Sequence, residues 1–384
     1  MKNRVVRLRD VASLNISNRR QNEKKIAYLD TGNIIENRVI KIQYFDYLDN
    51  IPSRAKRKVK EEDTIFSMVR PNQKHFGYIN RSMENLIVST GFSVVTPNKN
   101  KINSRYLFYL LTNNEVINIF QKLAEGCVST YPTLSLRDLL DFEFKLPSLE
   151  EQKRIADILT ALDDKIELNN QMNQTLEEIA SLLYKRWFVD FEFPDDKGNP
   201  YKSSGGEMVD SELGMIPKGW EVKELGEVLE ISSGNRPVQK SEEKTKENIF
   251  PIVGASKIMG YTNNYILDDT NEVLIIGRVG TLGIIQEYRE KIWVSDNTLI
   301  IKSNFQNYIK QYLSNVDFYS LNSGSTQPLI TQTTINKLLI VVPCNKVTDK
   351  FEKIESSNVR IKFCNTYEIK KIQRLKLELL KELI

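Results

Sequence analysis

An internal duplication is the feature of this sequence that most limits its fold. The second half repeats the order of apolar runs and turn residues of the first half, with an offset that falls from 217 to 196 residues. The paired segments are 8–11 and 225–228, 64–70 and 272–278, 88–89 and 294–295, 106–111 and 308–313, 131–135 and 327–331, and 142–147 and 338–343. The second pair aligns Arg70 with Arg278. The repeat predicts two domains of one fold, the first with about 21 extra residues.

Each copy is followed by a long segment with the spacing of a helix that pairs with another helix. In the first segment, Ser148 and Glu151 form the pattern of a capping box, and a stripe follows in alternating steps of four and three residues. This stripe contains Ile155, Leu159, Leu162, Ile166, Asn169, Asn173, Leu176, Ala180, Leu183 and Trp187. The second, more polar stripe contains Val347, Phe351, Ile354, Asn358, Ile361, Asn365, Glu368, Ile372, Leu375 and Leu379.

The two stripes predict that these helices pair with each other in antiparallel orientation. A helix with one exposed apolar stripe needs a partner, and each half of a duplicated molecule can supply the partner of the other half. Asn169 and Asn173 are expected to fix the register at some cost in stability. The alternative is that each helix packs only on its own domain. A first helix of about 60 Å, at roughly 1.5 Å per residue, makes this alternative the weaker one.

Residues 191–219, between the first helix and the second copy, are predicted to be a linker. Turn-forming residues are dense there, including Pro194, Gly198, Pro200 and Pro217.

The composition excludes several kinds of chemistry. A single histidine, His75, leaves no histidine cluster for zinc, and Cys127, Cys344 and Cys364 contain no C-x-x-C pair, so each thiol is expected to be a small buried apolar group in a reducing cytoplasm. The sequence contains no P-loop, no G-x-G-x-x-G and no Asn/Asp-Pro-Pro-aromatic tetrapeptide of an adenine methyltransferase. The charged start is unlike a signal peptide, and every apolar run is shorter than the roughly 20 residues of a membrane span, so a cytoplasmic protein is expected.

Candidate nucleic-acid contacts lie in loops of both copies, although the net charge is only +4. Arginine, asparagine and glutamine suit base edges, whereas lysine, serine and threonine suit phosphates. The alternative for each residue is an ordinary solvated loop. In the first copy the candidates are Arg54, Lys56, Arg57, Lys58, Arg70, Asn72, Gln73, Lys74, Ser129 and Tyr131. In the second copy they are Asn235, Arg236, Gln239, Lys240, Arg278, Thr281, Ser325, Thr326 and Gln327.

Three segments resemble the DNA-specificity (S) subunits of type I restriction–modification enzymes. They are Leu-Pro-Ser-Leu-Glu-Glu-Gln-Lys-Arg-Ile-Ala at 146–156, Lys-Arg-Trp-Phe at 185–188, and Ile-Pro-Lys-Gly-Trp at 216–220 followed by Leu-Gly-Glu-Val at 225–228. The resemblance implies an α+β fold with target-recognition domains at 1–147 and 220–343. Conserved helical regions at 148–190 and 344–384 would form a long antiparallel coiled coil with a pseudo-two-fold duplication. The distal helix departs from the family by lacking the Glu-Glu-Gln-Lys-Arg start.

The resemblance also implies a function. Each target-recognition domain would read one half of a bipartite DNA site, and the helix pair would set the gap and dock two modification subunits, which methylate adenine with S-adenosylmethionine. Two restriction subunits would add ATP- and Mg-dependent translocation and cleavage. The chain itself would be non-catalytic, with no bound cofactor or metal. The expected helix-pair or partner interface contains Ile155, Leu159, Leu162, Ile166, Asn169, Asn173, Leu176, Leu183, Trp187, Phe351, Ile354, Ile361, Ile372, Leu375 and Leu379.

Two other functions stay open at this point. Asp138 and Asp141 precede Glu143 and Lys145, as in the acidic and Glu-x-Lys pattern of metal-dependent nucleases, although the equivalent strand of the second copy lacks it. The pattern is more typical of the solvent face of an amphipathic strand. The long helices alone would also suit a coiled-coil scaffold that binds only protein.

Overall fold

The structure, a computed structural model, describes residues 4–20, 25–46, 49–81, 83–126, 131–268, 273–324 and 327–383. The chain divides into two compact units. Unit 1 contains Met1–Asn169 and Tyr367–Ile384, and unit 2 contains Asn170–Thr366. Each unit therefore holds one copy of the repeat and a segment of both long helices.

Unit 1 is built from short strands and helices that precede the first long helix. The strands are β1 (Arg4–Arg7), β2 (Ala12–Leu14), β3 (Ile26–Leu29), β4 (Ile34–Ile35), β5 (Arg38–Val39), β6 (Gln43–Phe45), β7 (Ala55–Lys58), β8 (Thr64–Ser67), β9 (Phe76–Tyr78), β10 (Leu86–Ser89), β11 (Phe92–Pro97) and β12 (Glu143–Leu146). The helices are α1 (Leu8–Val11), α2 (Ser104–Thr112), α3 (Asn114–Glu125) and α4 (Leu136–Leu140).

Two four-stranded sheets and one strand pair form the frame of unit 1. The order β2-β11-β8-β9 is antiparallel throughout, whereas in β6-β3-β10-β7 the central strands β3 and β10 are parallel. The N-terminal strand β1 pairs with β12. Helix α2 begins where the Asn103 side chain accepts a hydrogen bond from the Tyr106 amide, and its buried side chains join Phe66 and Phe120 in the main core.

The second long stretch of chain supplies unit 2. After α5 (Leu149–Tyr184) and a π-helical turn (Lys185–Val189) come β13 (Met208–Val209), β14 (Ile216–Pro217), β15 (Glu221–Glu224), β16 (Glu230–Ser233), β17 (Phe250–Val253), β18 (Ile258–Thr262), β19 (Val273–Gly277), β20 (Ile285–Tyr288), β21 (Trp293–Val294), β22 (Thr298–Lys302) and β23 (Leu339–Val342). The helices are α6 (Gln306–Ser314), α7 (Gln332–Asn336) and the second long helix, α8 (Asn345–Leu383).

The sheets of unit 2 repeat those of unit 1, which confirms the predicted duplication. The order β16-β22-β19-β20 matches β2-β11-β8-β9, and the parallel pair β17 and β21 matches β3 and β10. The pair β15 and β23 matches β1 and β12. The strand β7 and the helix α3 account for part of the extra length of the first copy, because the described residues of unit 2 contain no equivalent of either.

The structure corrects the predicted alignment of Arg70 with Arg278 by two residues. The Arg70 amide donates to the carbonyl of Pro132 (2.9 Å), and in unit 2 it is Gly280 that donates to the equivalent Pro328 (3.0 Å). Arg278 lies two positions earlier in its copy. Sequence patterning missed the shift because two residues are one full period of a strand, so that the same faces stay apolar.

The two long helices run antiparallel within each unit, as predicted. In unit 1 the Asn169 amide donates to the Glu368 carboxylate (2.8 Å), and in unit 2 the Asn365 amide donates to the Asn173 side-chain oxygen (2.9 Å). Further along unit 2, Lys362 contacts Glu177. From Asn169 to Asn173 to Glu177 the numbers rise along α5, while the numbers of their partners in α8 fall from 368 to 365 to 362. Polar side chains thus carry much of the seam and specify its register.

The predicted seam of α8 is wrong at three positions. Ile354, Ile361 and Leu375 are 41%, 43% and 45% exposed, while Glu355 and Val359 are buried. The predicted stripe runs through isoleucines and leucines, but the face turned inward also carries Glu355, whose carboxylate accepts a hydrogen bond from the Asn358 side chain (3.0 Å). Of the other predicted seam and interface residues, Ile155, Leu159, Asn169, Trp187 and Phe351 are buried, and Leu162, Ile166, Asn173, Leu176, Leu183, Ile372 and Leu379 are half-buried.

Part of each helix also packs on its own domain, so that both interpretations of the stripes hold along different segments. Ile155 and Leu159 belong to the main core of unit 1. Trp187 and Phe351 belong to the core of unit 2, with their rings 6.2 Å apart. At the start of α5, the Ser148 hydroxyl accepts from the Glu151 amide (3.2 Å), but the Glu151 carboxylate binds Arg154 instead of completing the capping box.

The segment predicted as a linker is packed on unit 2. The strands β13 and β14 form a small antiparallel sheet, and the ring of Phe193 stacks on Trp220 at 5.0 Å. The expectation of buried thiols is also corrected, because Cys344 and Cys364 are exposed free cysteines. Cys127 lies outside the described residues.

The packing of Phe351 leads to a stability prediction. Phe351 is fully buried against Trp187 and Phe188, so Phe351→Ala should destabilise unit 2 by about 3–5 kcal/mol through lost burial and the cavity left behind. All three tryptophans, Trp187, Trp220 and Trp293, lie in unit 2, so urea unfolding followed by tryptophan fluorescence reports on this unit. Leu182→Ala, at a position 67% exposed, is the control and should shift stability by no more than about 0.5 kcal/mol. Equal midpoints for the two variants would contradict the assignment of Phe351 to the core.

Candidate nucleic-acid interface

In unit 1, the candidate residues surround the turn at residues 89–92, which joins β10 to β11. The Thr90 amide donates to the Arg54 carbonyl (2.9 Å), which ties the start of the basic strand β7 to this turn. The Met68 amide donates to the Gly91 carbonyl (3.0 Å), and Arg70 follows two residues later. The turn therefore brings together the clusters that begin at Arg54 and at Arg70, 16 residues apart in sequence.

The strand β7 presents cations to solvent along one edge of its sheet. Arg54 and Lys56 are exposed, whereas Arg57 is half-buried and donates to the Asn15 side-chain oxygen (2.8 Å). Burial lowers the pKa of the Arg57 guanidinium. Lys58 is half-buried at the end of the strand. The exposed pair is thus the part of the run best placed to meet phosphates.

A short segment on the far side of β7 adds a cation that the sequence analysis missed. The Arg19 amide donates to the Lys56 carbonyl (2.6 Å), and the Arg19 guanidinium donates to the Ala55 carbonyl (3.2 Å). Arg19 thereby lies beside the basic strand. The adjacent arginines Arg19 and Arg20 are a basic pair that the sequence shows. Only the pairing of this segment with β7 places it beside the basic strand.

Arg70 and Tyr131 form a stacked pair. The Arg70 backbone is left-handed, with φ of 48°, and its guanidinium lies 5.0 Å from the centroid of the Tyr131 ring. Tyr131 is 55% exposed. A planar cation on an exposed ring is a surface suited to bases and phosphates. The predicted neighbour Ser129 lies outside the described residues.

The loop after Arg70 is less available than its sequence suggested. Asn72 and Gln73 are both exposed. The backbone amide of Asn72 donates a hydrogen bond to the side-chain oxygen of Gln121 (3.2 Å). Lys74, however, forms an ion pair with Glu36 (2.7 Å), which offsets its charge. The ring Nδ1 of His75 lies 2.6 Å from the Ile34 carbonyl, so this histidine ties the loop to β4.

In unit 2, candidates gather around the equivalent turn at residues 295–298. The backbone amide of Asn235 donates to the Val294 carbonyl (2.9 Å), and the backbone amide of Arg278 donates to the Asn297 carbonyl (3.0 Å). Arg236 is highly exposed and pairs with Asp296 (2.5 Å), whose hydrogen bond raises the pKa of the Arg236 guanidinium. Asp296 at the turn is a polar residue that the sequence analysis did not identify.

Arg278 is anchored inside unit 2. Its guanidinium donates to the Ser233 hydroxyl (3.1 Å), which also accepts from the Gln332 amide (2.9 Å). Since Arg278 is half-buried, it fixes the loop more than it reaches outward. Nothing in the sequence connects Ser233 with Gln332, because the two residues are 99 positions apart.

The remaining candidates of unit 2 divide between two loops. Gly280 and Gly283, at φ of 77° and 74°, form a tight turn between β19 and β20, and it leaves Thr281 exposed. Gln327 is exposed beside this turn. Gln239 and Lys240 are exposed in another loop, where Asn263 after β18 donates to Gln239 (3.0 Å). Ser325 and Thr326 lie outside the described residues.

The acidic residues of the alternative nuclease site are engaged elsewhere. Glu143 pairs with Arg7 (3.0 Å), and Asp141 pairs with Arg9. Asp138 accepts from the Ser135 hydroxyl (2.6 Å) at the start of α4. Glu143 and Lys145 alternate with a buried Phe144, as on the solvent face of an amphipathic strand. Two of the three carboxylates are thus neutralised by arginines, which leaves little negative charge to hold a cation.

Two other features, a metal-binding cluster and a membrane-spanning helix, are absent from the described ranges. The side chains there form no group of three or more histidine, cysteine, aspartate or glutamate residues able to hold a metal ion. Among the same residues, every helix is too short or too polar to span a membrane.

Comparison with known proteins agrees with this arrangement. Residues 2–178 and 217–351 match the family model described as the type I restriction modification DNA specificity domain. The HindI specificity subunit of Haemophilus influenzae is 26% identical over 94% of this chain and 93% of its own length. The MjaIX specificity subunit of Methanocaldococcus jannaschii is 29% identical over 72% of this chain and 67% of its own length.

A solved structure shares the fold. The type I restriction–modification S subunit of M. genitalium superimposes with a TM-score of 0.59 at 16% identity, over 99% of this chain and 96% of that one. The family model covers most of the sequence and matches it twice, once in each copy of the repeat. The chain therefore belongs to the type I restriction–modification DNA specificity family.

Proposed function

We propose that this chain is a sequence-specific DNA-binding subunit in which each globular domain reads one half of a bipartite site. The observation that carries the proposal is that both copies of one fold gather exposed cationic and amide side chains around equivalent turns, at 89–92 and 295–298. Such side chains contact phosphates and base edges. Two DNA-reading domains of the same fold would be expected to carry their contact residues at equivalent positions, as the side chains around these two turns do.

The chemistry of the two surfaces differs, which supports two different half-sites. Around the first turn, Arg54, Lys56 and the Arg70–Tyr131 stack supply cations and one ring. Around the second turn, Asn235 supplies an exposed amide, Ser233 and Gln332 hold Arg278, and the exposed Arg236 is balanced by Asp296. A cationic surface favours tight phosphate contacts, whereas an amide-rich surface suits hydrogen bonds to base edges.

We also propose that the helix pair sets the gap between the half-sites and docks two modification subunits. Outward-facing apolar residues on unit 2 support docking. Met172, Ile179 and Leu182 of α5 are 40%, 46% and 67% exposed. Ile354 and Ile361 of α8 are similarly exposed, seven residues apart. Apolar stripes on the outer side of paired helices are suited to a protein partner.

The remaining roles belong to the partners in this proposal. The modification subunits would bring S-adenosylmethionine and methylate adenine, and two restriction subunits would bring ATP- and Mg-dependent translocation and cleavage. This chain would direct that chemistry in the cytoplasm without performing it or binding a cofactor. The pairing of Glu143 and Asp141 with arginines favours this role over a stand-alone nuclease. The polar turns favour it over a scaffold that binds only protein.

A domain exchange tests the division into half-sites. Replacing residues 220–343 with the corresponding domain of another specificity subunit should change one half of the methylated motif and leave the other half unchanged. The readout is a genome-wide map of N6-methyladenine in cells that contain the modification subunits, with the unaltered gene and a gene deletion as controls. A change in both halves of the motif would contradict modular reading. A methylation map that is the same with the gene and with its deletion would contradict the proposed function.

Salt dependence tests the role of the basic strand. Lys56→Ala should weaken duplex binding by a similar factor for all sequences and reduce the slope of log K against log salt by about 1, because one phosphate contact is lost. Lys99→Ala is the matched control, since Lys99 pairs with Glu62 beyond the opposite end of β11. Filter binding at several salt concentrations measures both. Identical slopes for the two variants would remove Lys56 from the interface.

Helix length tests the ruler role. Inserting seven residues into both α5 and α8, after Asn170 and before Thr366, keeps the seam spacing and adds about 10 Å to each helix at roughly 1.5 Å per residue. The methylated motif should then show a gap longer by about three base pairs at roughly 3.4 Å per base pair, or disappear because assembly fails. An unchanged gap with full methylation would rule out the helix pair as the ruler.

A further inference from the structure

A cluster of four charged side chains joins three elements of unit 2. Lys310 of α6 binds Glu287 of β20 (2.7 Å) and Glu177 of α5 (2.9 Å). Lys362 of α8 contacts the same Glu177 and lies 3.8 Å from Glu287. The globular part of unit 2 is thereby bonded to both long helices. Neither DNA contact nor the helix seam alone accounts for this cluster.

Burial of the two lysine side chains makes these contacts hard to rearrange. The side chains of Lys310 and Lys362 are only 11% and 13% exposed. Burial alone would lower the pKa of the Lys310 ammonium, but the Glu287 and Glu177 carboxylates outweigh it and raise the pKa. The pKa of Glu177 is lowered because Lys362 and Lys310 outweigh its own burial. Lys310 and Glu177 thus stabilise each other's charged form, and each would lack its counter-charge if the elements moved apart.

Unit 1 contains a similar cluster made from different residues. Lys376 of α8 binds Asp163 of α5 (2.5 Å), and the Tyr109 hydroxyl of α2 donates to the same carboxylate (2.9 Å). The Lys376 ammonium also lies over the Tyr109 ring, 5.2 Å from its centroid. Directly after α2, the side-chain amide of Asn113 donates to the Leu380 carbonyl of α8 (3.1 Å). The elements α2, α5 and α8 of unit 1 thus correspond to α6, α5 and α8 of unit 2.

The recurrence of this three-way junction carries an inference about function. Apolar packing alone tolerates small slides, whereas a buried ion pair is directional and loses most of its energy when its geometry changes. We infer that Glu177 with Lys310 and Lys362, and Asp163 with Lys376 and Tyr109, are positioning residues that lock each globular domain at one angle on its own helix segments. The lock fixes where each domain presents its turn.

The inference rests on the proposed function in one respect, the bipartite site. If each domain is locked on its helices, only one gap between half-sites brings both surfaces onto DNA. A loosened lock lets the domain rock and so accept half-sites that are one base pair nearer or farther. The residues that read the bases are untouched by this change, so the half-site sequences stay the same.

The first arm of the test measures the lock without DNA. In the full chain, Glu177→Gln removes the shared counter-charge at a side chain 46% exposed, which the fold should tolerate. Hydrogen exchange measured by mass spectrometry should become at least ten-fold faster in α6 and β20 than in the unaltered chain. Lys353→Met, at an exposed position of α8, is the control and should leave both elements unchanged. Unchanged exchange in Glu177→Gln and also in Lys310→Met would overturn the lock.

The second arm measures the gap. In cells with the modification subunits, N6-methyladenine at sites with a gap one base pair shorter or longer should rise at least ten-fold in Glu177→Gln. Asp163→Asn should have the same effect through unit 1. The half-site sequences should stay constant and Lys353→Met should behave as the unaltered chain.

The outcomes separate the two proposals. Lower methylation with the same strict gap in both Glu177→Gln and Asp163→Asn means that these residues only support the fold, and this overturns the inference while the proposed function stands. If the unaltered chain directs no bipartite methylation, the proposed function fails. Hydrogen exchange then still decides whether the lock exists.

Discussion

The structure depends on two long helices that pair through polar side chains as much as through apolar ones. An apolar seam would tolerate a slip of seven residues, because each leucine or isoleucine would meet another. Asn169 with Glu368 in unit 1, and Asn173 with Asn365 in unit 2, lose their hydrogen bonds on such a slip. The polar residues of the seam bury less apolar surface than leucines would, but they specify a single register of the two helices. Each copy of the repeat is attached to segments of both helices, so this register underlies the arrangement of each unit.

The turns at 89–92 and 295–298 show how one framework carries two surfaces. In both units the turn joins one strand of the parallel pair in one sheet to a central strand of the other sheet, and main-chain hydrogen bonds hold its backbone. Side chains around it are then free to differ. A stacked arginine and tyrosine lie in segments next to one turn, and an arginine–aspartate pair lies at the other. Variation in recognition with a constant backbone is the expected outcome of this division of roles.

Sequence patterns predicted the elements of the fold well and their exact pairing less well. The repeated apolar runs and the two long helices follow from periodicity. The alignment of Arg70 with Arg278 was two residues out, since a strand shifted by one period looks the same. The seam of α8 was misassigned at Ile354, Ile361 and Leu375 because hydrophobicity does not register a buried charge that has a partner. Of the predicted interface residues, Lys74 was found to be paired with Glu36, a residue 38 positions away.

The sequence by itself determined the duplication, the fold class, the family and the two long helices, because each depends on patterns that extend over many residues and survive a local error. Only the tertiary structure decided which side chains meet. It placed Arg19 beside the basic strand, anchored Arg278 through Ser233 and gathered Glu177, Lys310 and Lys362 into one junction. These contacts join residues 36 to 185 positions apart. Their energy depends on distances of a few ångströms and on exclusion of water, and neither quantity is written in the spacing of residues along a chain.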